Sequence, residues 1–147
     1  MSDLIKRQFE LTRGTILKDI ENVSETNFDV LPEGFNNNVH WQLGHVLVAA
    51  EKFLFGPAGQ LPEEYGKLFG YGSKPSDWEG EVPSVATLVE QLKEQLNRIK
   101  ELPNDRFDEK LPEPVLGNTT YGELASLTAF HEANHSGQIY AMVRFLG

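Results

Sequence analysis

The chain has 147 residues, 39% of them hydrophobic and 24% charged, which fits one globular domain with a buried core and excludes a disordered or fibrous protein. Its net charge of −9 argues against nucleic acid or an anionic membrane as a partner, since either would need a Lys/Arg stripe. With no cysteine it can have no disulfide, zinc ribbon, iron–sulfur cluster or thiol nucleophile of its own, so any thiol chemistry must use a co-substrate.

The first predicted element is a helix from Ser2 to Val23. Ile5, Phe9, Ile16, Ile20 and Val23 recur at helical spacing, Thr12 fills the gap, and polar Ser24-Glu25-Thr26-Asn27 ends the run. The N-terminal segment is polar and amphipathic. It has neither an apolar signal core nor a run able to span a bilayer, so a soluble cytoplasmic protein is expected. A second helix begins after Asn36-Asn37-Asn38, a natural N-cap cluster, and continues through Trp41, His45, Val48, Ala49 and Phe53 to Gly56-Pro57.

Gly56 to Pro83 is rich in Gly and Pro and shows no sustained period, with Phe69, Tyr71 and Trp78 set in it as either a lid or pins for a long connection. The third helix runs from a Ser84 cap through Leu88, Leu92, Leu96 and Ile99 to Leu102. Pro103 to Asn118 is turn-rich, and Pro112 and Pro114 break any helix there. The fourth helix starts at Thr119 or Thr120, where Thr120-Tyr121-Gly122-Glu123 matches a capping box, and reaches Phe145-Leu146. No strand alternation is read. Residues 1–147 are therefore expected to form a single all-α domain, a four-helix bundle with a long crossover connection between helices two and three.

All four histidines fall on two of these helices, in Asn36-Asn37-Asn38-Val39-His40-Trp41-Gln42-Leu43-Gly44-His45 and His131-Glu132-Ala133-Asn134-His135. His131 and His135 lie four apart, so both imidazoles leave one helix face about one turn apart and can share a divalent ion. His40 and His45 are five apart and differ by roughly 140° around the axis, so only one can point at that ion. His45 is chosen because it lies near the apolar face of Trp41, Val48 and Ala49, while His40 sits at the polar start as a cap-region, rim or supporting residue. The alternative for any of these histidines is a hydrogen-bonded core residue.

Three neutral imidazoles leave open positions on an ion, where a water could be acidified or a thiol held as thiolate, and zinc, nickel, iron and copper all accept such ligands. The second window also satisfies H-E-x-x-H, the zinc-protease motif. The protease reading fails downstream, because Ser136 to Gly147 contains no Asp, Glu or His to complete that site. Glu132 is kept as a candidate catalytic or supporting carboxylate.

The patterns Trp41-Gln42-Leu43-Gly44-His45 and His131-Glu132-Ala133-Asn134-His135-Ser136-Gly137-Gln138-Ile139 resemble the DinB-like superfamily of four-helix-bundle proteins, which includes bacillithiol and mycothiol transferase relatives. The resemblance spans essentially the whole chain. It implies a three-histidine site at His45, His131 and His135, nickel or zinc as the metal, and a homodimer. Together these readings point to a metal-dependent thiol S-transferase that joins a low-molecular-weight thiol to a small-molecule electrophile. The rivals are a non-catalytic, stress-associated metal-binding bundle and a hydrolase using activated water with Glu132 assisting.

Overall fold

A computed structural model describes residues 1–146. Helix makes up 68% of it, beside a small two-stranded sheet, so the expected all-α class holds in its main feature. Helix α1 spans Ser2–Ile20 and ends three residues before Val23. There the backbone tightens, with the Glu21 N–H donating to Lys18 O and the Val23 N–H to Ile20 O, both three residues back. Helix α2 spans Val39–Ala50, and its Asn38 cap accepts from the Trp41 N–H at 2.9 Å. It then widens into a π-helical turn, Glu51–Phe55, before Gly56 turns the chain.

The long connection that follows holds a short helix, α3 (Tyr65–Phe69), which its Gly/Pro-rich composition hides. Two of its aromatics act as pins. Phe69 is fully buried, and Trp78 donates its indole N–H to Leu68 O, whereas Tyr71 stands fully exposed. Helix α4 (Val85–Glu101) has the expected Ser84 cap, and α5 (Tyr121–Phe145) the expected Thr120–Glu123 capping box.

The turn-rich stretch corrects the expectation of no strands: β1 (Lys110–Val115) pairs antiparallel with β2 (Asn118–Thr120) through a turn at Leu116 and Gly117, both at positive φ. Pro112 and Pro114 can occupy β1 because a two-stranded ribbon leaves backbone donors unused. Alternation is absent because the strand is mostly exposed and has no apolar face to signal.

Side-chain ties show how the long helices run. Lys6 reaches Lys100 O and Leu102 O while Arg13 reaches Leu92 O, so α1 and α4 are antiparallel. His45 meets His131 and Gln42 meets His135, so α2 and α5 are antiparallel. Glu51 meets Arg98 and His40 meets Pro83 O, so α2 runs in the same direction as α4.

The core forms two apolar clusters. One includes Ile16, Leu43, Leu47, Leu92 and Ile139; the other includes Phe9, Leu54, Ile99 and Ala129. Between them lie four buried polar residues: Arg13 on α1, Glu51 in the π-helical turn after α2, Gln95 on α4 and Glu132 on α5. Two expectations change here. The gap between Phe9 and Ile16 is filled by Arg13 rather than Thr12, and Gln95 is more deeply buried than Leu96.

Candidate metal centre

The antiparallel packing of α2 on α5 brings His45, His131 and His135 together. His131 Nε2 lies 3.1 Å from His45 Nε2 and 3.1 Å from His135 Nε2, and one nitrogen from each ring falls within 4.8 Å of the others. Two imidazoles on one ion, with bonds of about 2.1 Å at angles of about 90–110°, have nitrogens roughly 3.0–3.4 Å apart. Both observed separations fall in that range.

The outer ring nitrogens decide the tautomers. His45 Nδ1 sits 2.7 Å from Phe69 O, and a carbonyl can only accept, so Nδ1 carries the hydrogen and Nε2 presents a lone pair inward. His135 Nδ1 sits 2.6 Å from Gln42 Oε1. The Gln42 amide is oriented by its Nε2, which donates to Asn37 Oδ1 at 3.0 Å and Gln138 Oε1 at 2.9 Å. His135 therefore also donates outward and turns a lone pair inward. His131 Nε2 faces both lone pairs and carries at most one hydrogen, so at least one of the two is left without a donor. A cation at the centre satisfies all three, and outward hydrogen bonds of this kind are what orient metal-bound imidazoles.

Electrostatics point the same way. Burial lowers the pKa of His131. Burial lowers that of His45 as well, aided by the charge of His131 and partly offset by the Phe69 carbonyl. His135 is pushed from 6.5 down to about 3, by burial first and then by His45 and His131. Neutral imidazole is the ligand form, so the fold favours the state a metal requires.

His40 lies apart from this group. Its Nδ1 is 2.8 Å from Asp29 Oδ1 and its Nε2 2.8 Å from Pro83 O, and Trp78 packs edge-on against it at 5.0 Å. It ties the start of α2 to two connecting segments. Glu132 follows His131 in sequence but points into the core, where its Oε1 accepts from Arg13 and its Oε2 from both Arg13 and Thr12. Clefts of about 1070, 690 and 630 Å³ open elsewhere, the first beside His40, and none of these three is lined by His45, His131 or His135.

The family model for the DinB superfamily matches residues 8–139, a span that contains α2, most of α5 and all three histidines. The chain belongs to the DinB superfamily. No curated protein matches it.

In this DinB-superfamily chain every residue of Trp41-Gln42-Leu43-Gly44-His45 has a visible task. Trp41 stacks on His45, ring centroids 4.5 Å apart and planes 11° from parallel, and its indole N–H donates to Ser73 Oγ. Gln42 orients His135, and Leu43 is buried in the core. Gly44 leaves room for Phe69, because a β-carbon there would overlap the ring, and Phe69 supplies the carbonyl that orients His45. Gln138, in the second motif, holds Gln42. Reasoning from the sequence located the histidines but missed Trp41, Gln42, Phe69, Ser73 and Gln138 as their supports. A glutamine four residues before Val46 and another three after His135 were signals, since polar residues on buried helix faces need partners.

Proposed function

We propose that His45, His131 and His135 hold one divalent ion, nickel or zinc, and that this centre makes the chain a metal-dependent thiol S-transferase. The observation that carries the metal assignment is the pair of inward lone pairs locked by Phe69 O and Gln42 Oε1. Once bound, such an ion would hold a low-molecular-weight thiol as thiolate for attack on a small-molecule electrophile. The chain itself supplies three neutral ligands, the outward hydrogen bonds that aim them, and the Trp41 face against His45. Because it has no cysteine, the nucleophilic sulfur must come from a co-substrate.

We read the architecture as a four-helix bundle whose 34-residue link from Glu51 to Ser84 is a crossover, since α2 and α4 are parallel and no short hairpin can join parallel neighbours. We also propose a cytoplasmic homodimer. Among the described residues no helix is long and apolar enough to cross a membrane. On α5, no exposed charged side chain occurs between Glu123 and Arg144, while Phe130 and Tyr140 are exposed.

Two experiments test the functional reading. Metal analysis of tag-free protein should find one divalent ion per chain in the wild type and none in His135→Ala; wild type without stoichiometric metal would sink the assignment. Incubating the metal-loaded protein with a low-molecular-weight thiol and a reactive electrophile should then consume the thiol, dependent on His135. Metal binding without turnover across thiols would favour the non-catalytic bundle. The hydrolase reading needs a free Glu132, yet its carboxylate is held by Arg13 and Thr12; turnover that survives Glu132→Gln in metal-loaded protein would exclude it.

A further inference from the structure

We propose that the buried polar layer of Arg13, Gln95 and Glu132 is the positioning device of the metal centre, setting the rotation and level of α5 against α2 so that the three Nε2 atoms meet. The proposal rests on the metal reading above and adds residues that touch neither metal nor substrate.

The layer forms a continuous path between the two histidine-bearing helices. Leu47 O, two residues beyond His45 on α2, accepts from Gln95 Nε2 at 2.9 Å. Gln95 Oε1 accepts from Arg13 Nη2 at 2.5 Å. Arg13 Nε and Nη2 each donate to Glu132 at 3.0 Å, its Nη1 donates to Leu92 O at 2.8 Å, and Glu132 is the residue after His131. Glu132 sits about 100° around α5 from His131, so a rotation of α5 that displaces the carboxylate displaces His131 and His135 as well.

Apolar packing alone does not supply that constraint. The clusters above and below the layer stabilise through burial, which is non-directional and does not by itself select one rotation of α5. A chain of hydrogen bonds is directional, and metal bonds tolerate errors of only about 0.2 Å. A buried ion pair is weak evidence for stability, and its best-attested use is to fix register, as a single polar residue does in a coiled-coil seam. Arg13, Gln95 and Glu132 are each no more than 1% exposed, and one buried polar side chain from each of α1, α4 and α5, tied to an α2 carbonyl, is an arrangement suited to that role.

The test uses the full chain with nickel and zinc titrated against a competing chelator, and cobalt substitution read by ligand-field absorption. Glu132→Gln, and Thr12→Val, which deletes one hydrogen bond to Glu132 and leaves the ion pair, should each weaken metal binding, Glu132→Gln by about 10- to 100-fold, and shift the cobalt bands. Lys6→Met, which cuts an α1–α4 tie at the other end of the molecule, should lower the thermal midpoint without changing either readout. Folded Glu132→Gln and Thr12→Val with wild-type affinity and cobalt spectrum would overturn the positioning role alone. If Glu132→Gln fails to fold, Thr12→Val decides by the same criterion. A wild type that binds no ion overturns both this proposal and the metal reading beneath it.

Discussion

Gln42 shows how much a single side chain off the metal can decide. Its carbonyl fixes the His135 tautomer, and its amide is fixed in turn by Asn37 and Gln138. Gln42→Leu keeps the volume and removes the orienting acceptor, so metal affinity should fall by about 10- to 100-fold while the fold persists, as chelator competition would show. The pKa shifts set a second expectation at this scale. His135 is lowered from 6.5 to about 3, so in metal-free protein the unfolded chain binds a proton that the folded site refuses. The stability from its neutral form is fully present above about pH 6.5 and is lost as pH falls toward 3. Urea midpoints of the metal-free wild type should drop between pH 7 and 5 more steeply than those of His135→Ala. Parallel pH profiles would show that His135 titrates alike in both states.

At the scale of elements, the short helix α3 matters more than its five residues suggest. It docks Phe69 against α2 at Gly44 and directs a backbone carbonyl at His45. Gly44→Ala should push Phe69 off α2, costing about 1–3 kcal/mol by overpacking and loosening the His45 hydrogen bond. The observable is a lower urea midpoint together with weaker metal binding; a change in neither would place Phe69 elsewhere. The start of α5 was legible in advance because a capping box is a local pattern, and Thr120 and Glu123 form it as read. The hairpin before it was not legible, since β1 carries two prolines and no alternating apolar face. Arg13 escaped notice for a related reason. A guanidinium at an apolar helix position reads as an interruption until its carboxylate partner, 119 residues away, is brought to it.

For the whole molecule, the metal is expected to act as a clamp between α2 and α5, because its ligands come from both. An ion that binds only the folded chain stabilises it by about 2.7 kcal/mol at a free concentration of 100 times Kd. Adding nickel or zinc should therefore raise the thermal midpoint of the wild type and leave that of His135→Ala unchanged. A chelator should reverse the gain, and equal shifts in both proteins would point to unspecific binding. The net charge of −9 contrasts with the uncharged outer face of α5, the face on which the proposed second copy would pack.

The sequence by itself determined the helical class, the main helix starts and the three histidines that come together, because caps, helical spacing and an i, i+4 pair are local properties of the chain. Only the tertiary structure decided which ring nitrogen of each histidine faces inward, that Phe69 and Gln42 aim two of them, and that Glu132 belongs to Arg13 rather than to the centre. These facts depend on contacts between residues 24 to 119 positions apart, and the packing of helices, unlike the pattern along one, cannot be read from local spacing.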